Sequence, residues 1–270
     1  MVAADAWNPE QYHRFQDERA KPFHDLVALL QPVDRPRVVD LGCGTGELTA
    51  ALHRATGAAE TIGIDRSPAM LAKAAEHAAP PALSFAAGDI GEFPAGDDAR
   101  YDVVFANAAL QWVPDHPAVL ARWTAALTGE GQLAVQVPAN ADHPSHLTAR
   151  EVAESAPFLE AFGDDGPPPD PVDSVLRPEQ YACLLDELGF RDQHVRLQVY
   201  GVRLPSSVDI VEWVKGTNLT RFQSRLPDDV FGDFVERYRT RLLEVVGERS
   251  PYFYAFKRIL LWGRLKGPTA

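Results

Sequence analysis

Residues 38–46, Val-Val-Asp-Leu-Gly-Cys-Gly-Thr-Gly, join a short apolar run to glycine at every second position. The pattern is that of a strand ending in a tight turn that opens into a helix, with bare backbone offered to a ligand at the glycines. Dinucleotide-binding loops share the alternation, and the neighbouring acids decide between the possibilities. A pyrophosphate seeks exposed amides and the positive end of a helix, so Asp40 before the loop and Glu47 after it would repel one. A ligand carrying an ammonium or a sulfonium is attracted instead.

From this turn the chain alternates strand and helix for about a hundred residues. Strands are predicted over 38–41, 61–64, 83–87, 101–106 and 132–137, with helices over 46–56, 68–79 and 116–127 between them. Ser67-Pro68 caps one of these helices and Pro80-Pro81 ends it. Short apolar strands alternating with helices imply an α/β fold with a parallel sheet covered on both faces, and ligands then bind outside the carboxyl ends of the strands.

Those ends carry a recurring polar residue. Asp65 follows the second strand about twenty residues beyond the glycines, where a carboxylate accepts ribose hydroxyls. Asp89 with Ile90 follows the third, an acid and an apolar neighbour suited to an adenine amino group and ring face. Asn107 follows the fourth, with Gln111 and Trp112 soon after. Each taken singly is as well explained as a turn former or helix cap. Their recurrence in phase along successive strands points to a ligand, and S-adenosylmethionine has an ammonium, a sulfonium and no phosphate.

Outside this core, Asn8-Pro9 opens an N-terminal helix whose Tyr12, Phe15 and Arg19 share a face, either docking the arm or closing over a ligand. A second helix is expected over 22–31. Segment 139–160 is partly helical, and 163–171, with its prolines and acids, reads as an irregular, mobile loop or hinge. Helices over 178–188, 208–214 and 227–246 and strands over 194–204 and 256–265 complete the chain. The organisation expected is one domain: an arm over 1–33, a core over 34–140, lid or substrate insertions over 141–180 and 205–255, and a closing strand over 256–270.

At 270 residues and 46% hydrophobic composition the chain can bury a substantial core. No stretch reads as a membrane span or signal peptide, and cytoplasmic placement is the expectation. The net charge of -12 argues against nucleic acid as a partner and leaves room for a small anionic substrate held by local basic groups. Cys43 and Cys183 make neither a disulfide framework nor a metal site, and no metal is expected. Cys43 is read as a small filler within the glycine turn.

Residues 38–46, Gly63-Ile64-Asp65 and Asp89-Ile90 resemble the class I S-adenosylmethionine-dependent methyltransferases. Residues 7–12, Glu18-Arg19, Ser67-Pro68-Ala69-Met70, 106–116, 134–138 and Trp213-Val214 are more narrowly similar to the trans-aconitate 2-methyltransferases. The resemblance implies a doubly wound, mostly parallel seven-stranded sheet of Rossmann-like form with an antiparallel last strand and helical lid insertions. It implies that Gly42, Gly44 and Gly46 line the methionine part of S-adenosylmethionine, that Asp65 holds the ribose, and that Asp89 and Ile90 hold the adenine. Asp40 would supply negative charge near the ammonium, Asn107 the floor facing the methyl, and Arg19 a contact to the carboxylate, with Arg66 and Met70 grouped among the cofactor residues.

The implied reaction is esterification of one carboxylate of a small tricarboxylic acid. A carboxylate is ionised at neutral pH, so no general base is assigned and catalysis rests on alignment and exclusion of water. The other carboxylates need Arg, Lys or His partners. His143, His146, Arg203, Lys215, Arg221 and Arg225 are the candidates, and at least two are expected to meet beside Asn107 and Gln111. Tyr12, Trp112 and Trp213 are the apolar and aromatic candidates for the same site. The alternatives are a methyltransferase for an apolar quinone-like or lipid-like acceptor, a non-catalytic S-adenosylmethionine sensor and, disfavoured by Asp40, a dinucleotide oxidoreductase. Base-modifying methyltransferases often carry Asn or Asp followed by Pro-Pro after the fourth strand, and Asn107-Ala108-Ala109 departs from that.

Overall fold

The computed structural model describes residues 16–94 and 100–266, with 16–19 as backbone alone. Two compact units are present among the described residues, one within 20–138, 174–198 and 258–266, the other of 139–173 and 199–257 together with 16–19.

The first unit is built on the predicted alternation. Its elements are α1 (Gln16–Val27), β1 (Arg37–Leu41), α2 (Glu47–Thr56), β2 (Glu60–Asp65), α3 (Pro68–Ala74), β3 (Leu83–Ala87), β4 (Tyr101–Asn107), α4 (His116–Ala125), β5 (Leu127–Pro138) and α7 (Pro178–Glu187). With β6 (Phe190–Leu204) and β7 (Tyr252–Leu265) the strands form a seven-stranded sheet in the order β3-β2-β1-β4-β5-β7-β6. β1 pairs in parallel with β2 and β4, β2 with β3, and β4 with β5, whereas β5 and β7 run antiparallel from Gln132↔Arg264 to Pro138↔Arg258. Strand order reverses between β1 and β4, and that crevice is where an open α/β sheet receives a ligand. One face packs Val38, Phe105, Ala134 and Trp262 under Phe23 and Leu26 of α1 and Leu52 of α2. Phe23 meets Phe105 edge to face at 5.7 Å.

The sequence expectation of a helix beginning at Pro22 is corrected here: α1 runs through Pro22 and stops at Val27. A proline inside a helix costs about 3 kcal/mol, and the burial of Phe23 and Leu26 on the sheet outweighs it. Beyond Val27 the chain is held by Gln31, whose N–H and C=O bond the side chain of Gln132 at 2.8 and 2.9 Å. The helix predicted over 68–79 shortens to α3 followed by a 3-10 turn, Ala75–His77. β5 begins earlier than predicted, at Leu127, across an irregularity in register between Tyr101 and Val103.

The second unit is helical: α5 (Pro144–Ala153), α6 (Phe158–Phe162), α8 (Asp209–Lys215), α9 (Thr220–Gln223) and α10 (Asp228–Val246), with residues 199–204 of β6 and 252–257 of β7. The apolar stripe read along α10 is core: Phe231, Phe234, Tyr238 and Leu242 are buried against Phe158, Trp213 and Phe222. Segment 163–171 is irregular, as read, but it is pinned. A 3-10 turn spans Gly163–Asp165, the Pro168 carbonyl accepts from Arg221 at 3.0 Å, and Asp170 is buried.

Candidate active site

The glycine turn is built by steric necessity. Gly42, Gly44 and Gly46 have φ of 81°, 55° and 79°, in the left-handed region that side chains resist. A Cβ on Gly42 would stand 2.3 Å from that of Ala109, and one on Gly46 would meet Phe85 and Ala74 within 2.9 Å. A Cβ on Gly44 would meet nothing within 4 Å. The first and third glycines are therefore fixed by packing, and the middle one borders open space that a ligand can approach.

Asp65 locks this turn. Its Oδ2 accepts from the Gly44 N–H and its Oδ1 from the Ser67 N–H, each at 2.9 Å. A carboxylate has about four acceptor positions, so hydroxyl donors can still be received. Asp89 caps the Ile90–Glu92 turn through Gly91 at 2.8 Å and keeps its side chain in solvent. Ile90 is buried beside it, and its carbonyl receives the Trp123 indole at 2.9 Å.

Asp40 is placed differently from a simple ligand contact. It is buried and its Oδ2 accepts from the Thr49 hydroxyl at 2.6 Å, tying the end of β1 to the first turn of α2. Burial pushes its carboxyl up to about 7, against the Thr49 bond and with the charge of Asp65 adding to the rise. This end of the sheet is thus poor in positive charge and would gain from a cation. Cys43 is buried and burial pushes its thiol well up, which suits an inert filler. Met70 is buried, with its N–H on the Ser67 cap, while Arg66 is exposed. Arg19 lies in α1 as backbone alone, and Tyr12 lies outside the described residues.

Asn107 ends β4, and Ala108 turns with φ of 55° before the Leu110–Trp112 turn. Gln111 is buried and donates to the Ala108 carbonyl at 2.6 Å, whereas Trp112 is 39% exposed. Buried atoms without a hydrogen-bond partner among the described residues gather here: Asn107 Oδ1, Gln111 Oε1 and Gln136 Nε2. Gln136 was not among the sequence candidates, although a polar residue inside the apolar run 133–137 is a signal that could have found it.

In the second unit His146 and Arg221 both lie against Asp170. Its Oδ2 lies 3.1 Å from His146 Nδ1, 2.9 Å from Asn218 Nδ2 and 3.2 Å from Arg221 Nη2, and its Oδ1 accepts from Val172. Burial pushes this carboxyl up, but the His146 bond and the Arg221 guanidinium outweigh it and hold it at about 2. His143 caps α5, its Nδ1 accepting from Ser145 N–H at 3.1 Å, and burial with the nearby His146 lowers it to about 4, so it carries no charge at neutral pH. Arg225 pairs with Asp165 at 3.3 Å. Arg203 is exposed on β6 and Lys215 half-buried at the end of α8. Trp213 is core, packed against Tyr254 and Phe256.

Comparison with known proteins follows the same lines. Residues 33–163 match a family described as a methyltransferase domain. A protein of Deinococcus radiodurans called trans-aconitate 2-methyltransferase is 45% identical over 260 residues, covering 94% of this chain and 96% of that one. One of Variovorax paradoxus with the same name is 38% identical, covering 96% of each. Among solved structures, the YcgJ protein of Bacillus subtilis superposes with a TM-score of 0.57 at 14% identity, covering 90% of this chain and 97% of that one. Phosphoethanolamine N-methyltransferase 2 of Haemonchus contortus, solved with S-adenosylhomocysteine, gives 0.52 at 18% identity over 91% of this chain and 52% of that one. At these identities the structural likeness is one of fold.

Proposed function

We propose, because this chain belongs to the trans-aconitate 2-methyltransferase family, that it is an S-adenosylmethionine-dependent O-methyltransferase forming the monomethyl ester of a small tricarboxylic acid such as trans-aconitate. The supporting observation is the row of carboxylates, Asp40, Asp65 and Asp89, at the ends of or just beyond the adjacent parallel strands β1, β2 and β3, around a glycine turn with open space at Gly44. That arrangement suits a cationic, phosphate-free ligand.

The residues proposed to hold the donor are Gly42, Gly44 and Gly46 along its methionine part, Asp65 at the ribose, and Asp89 with Ile90 at the adenine. Asp40 supplies negative charge behind the turn, and the orphaned Asn107 Oδ1 offers an acceptor facing the ammonium or methyl. Arg19, Arg66 and Met70 complete this set. When bound there, S-adenosylmethionine would supply an activated methyl for transfer to a carboxylate oxygen. The protein's part is to hold that oxygen in line at roughly 3 to 3.5 Å and to exclude water, with no proton to remove.

Gln111 and Trp112 of the sheet unit are proposed at the acceptor. Among the basic candidates of the helical unit, Arg203 and Lys215 are in no ion pair among the described residues, unlike Arg221 and Arg225. His146 and Arg221 are engaged by Asp170, and their proposed part is to shape this unit. His143 is uncharged and Trp213 packed, so each is proposed as a wall at most. Cytoplasmic placement accompanies this reading. Among the described residues, no helix is long and apolar enough to cross a membrane. Incubation with S-adenosylmethionine and trans-aconitate should give a monomethyl ester by mass spectrometry. Turnover of a quinone with none of the acid would contradict the proposal.

A further inference from the structure

β5 carries glutamines at two positions of one sheet face, Gln132 and Gln136, and both are buried to within 1% exposure. Gln132 is satisfied: its Oε1 accepts from Gln31 N–H at 2.8 Å and Trp262 Nε1 at 2.9 Å, and its Nε2 donates to the Gln31 carbonyl at 2.9 Å. Gln136 shares the strand, face and burial, and its backbone carbonyl is met by Ala108 N–H at 2.9 Å. Its side-chain Nε2 has no partner among the described residues. An unmet buried donor costs about 1–3 kcal/mol, and Gln132 shows how this strand satisfies a glutamine that serves the fold.

Register places Gln136. Asp40 lies opposite Phe105, Phe105 opposite Ala134, and Asn107 opposite Gln136. Residues two apart on a strand share a face, so Asp40, Asn107 and Gln136 lie on one face at the carboxyl ends of β1, β4 and β5. Asp65 ends β2 and Asp89 lies just beyond β3, on the other side of β1 in the sheet order. A ligand reaching along this face past Asn107 would meet Gln136 next.

We propose, resting on the carboxyl O-methyltransferase function above, that Gln136 positions the acceptor, its Nε2–H donating to an oxygen of the reacting carboxylate. The chemistry favours an amide at this place. A neutral donor orients the carboxylate without the full ion pair that would quench the nucleophilicity of its oxygen. Arg or Lys suits the spectator carboxylates instead.

Titration calorimetry of trans-aconitate into enzyme saturated with S-adenosylhomocysteine tests this, using Q136M, Q136E and, as the twin control, Q132M. Q136M should weaken acceptor binding by about 10- to 100-fold, as expected for losing a hydrogen bond to a charged group. Q136E, similar in shape but repelling a carboxylate, should weaken it further. In both, affinity for S-adenosylhomocysteine should stay within about twofold. Q132M should lower the unfolding temperature and leave acceptor binding unchanged. Equal acceptor affinity in wild type, Q136M and Q136E would overturn the role of Gln136, as would a matching loss of donor affinity. Wild-type enzyme that binds no carboxylate at all would overturn the functional assignment itself, and this proposal with it.

Discussion

At Asp40 the burial that anchors the glycine turn also creates a pH dependence. The folded carboxyl, raised to about 7 from an ordinary 3.8, binds a proton that the unfolded chain has released. Its contribution to stability is therefore fully present below about pH 4 and is lost as pH rises through 7. Asp40→Asn can still accept from Thr49 and never ionises. Its thermal stability relative to wild type should improve by about 2–3 kcal/mol between pH 5 and pH 8, measured by calorimetric unfolding without ligand. An advantage constant with pH would contradict this. The glycines separate in the same way. Gly42→Ala drives a methyl into Ala109 as well as straining a left-handed φ, whereas Gly44→Ala carries the strain alone, about 1–2 kcal/mol. Unfolding should show Gly42→Ala as the more destabilised, and donor titration of Gly44→Ala should show weakened binding in a protein that still folds. The placement of Asp65, Asp89 and Asn107 at or just beyond strand ends was legible in the sequence because each closes or shortly follows an apolar run. Gln136 was not singled out, because its meaning depends on which residue of β4 stands opposite it.

Among the elements, segment 163–171 shows what composition leaves unsaid. Its prolines and acids exclude regular structure, yet Asp170 carries it into a buried cluster with His146, Asn218 and Arg221. Residues on three separate stretches meet there, and local sequence gives no sign of such a pairing. Because the Asp170 carboxyl is held at about 2, below its ordinary 3.8, its stabilisation is present above about pH 4 and is lost as pH falls through 2. Asp170→Ala leaves Arg221 buried without its anion and should destabilise by about 3–5 kcal/mol. Limited proteolysis should then cut within 163–173 well before the sheet unit unfolds, and resistance equal to wild type would count against the cluster as the fastening of this segment. The parallel strands were legible from their apolar runs, and α10 from its stripe. The passage of α1 through Pro22 was not, because local preference at a proline yields there to burial of Phe23 and Leu26.

For the molecule as a whole, the net charge of -12 and the carboxylates at the strand ends have one consequence for ligand choice. The donor gains by being cationic, while an anionic acceptor must be met by locally placed groups, for which the Gln136 amide is proposed in the sheet unit. Donor affinity should accordingly fall as pH drops below about 7 and Asp40 takes up its proton, and Asp40→Asn should lack that slope. The fold class was readable from the order of strands and helices, and the family from short segments along the chain. The acceptor is less readable, since it rests on side chains drawn from well-separated stretches. Transfer of label from methyl-labelled S-adenosylmethionine to a panel of di- and tricarboxylates tests the central claim most directly. The account predicts label in a base-labile ester, strongest with a tricarboxylate such as trans-aconitate. Label appearing only in a base-stable product, or in none of the acids, would contradict it.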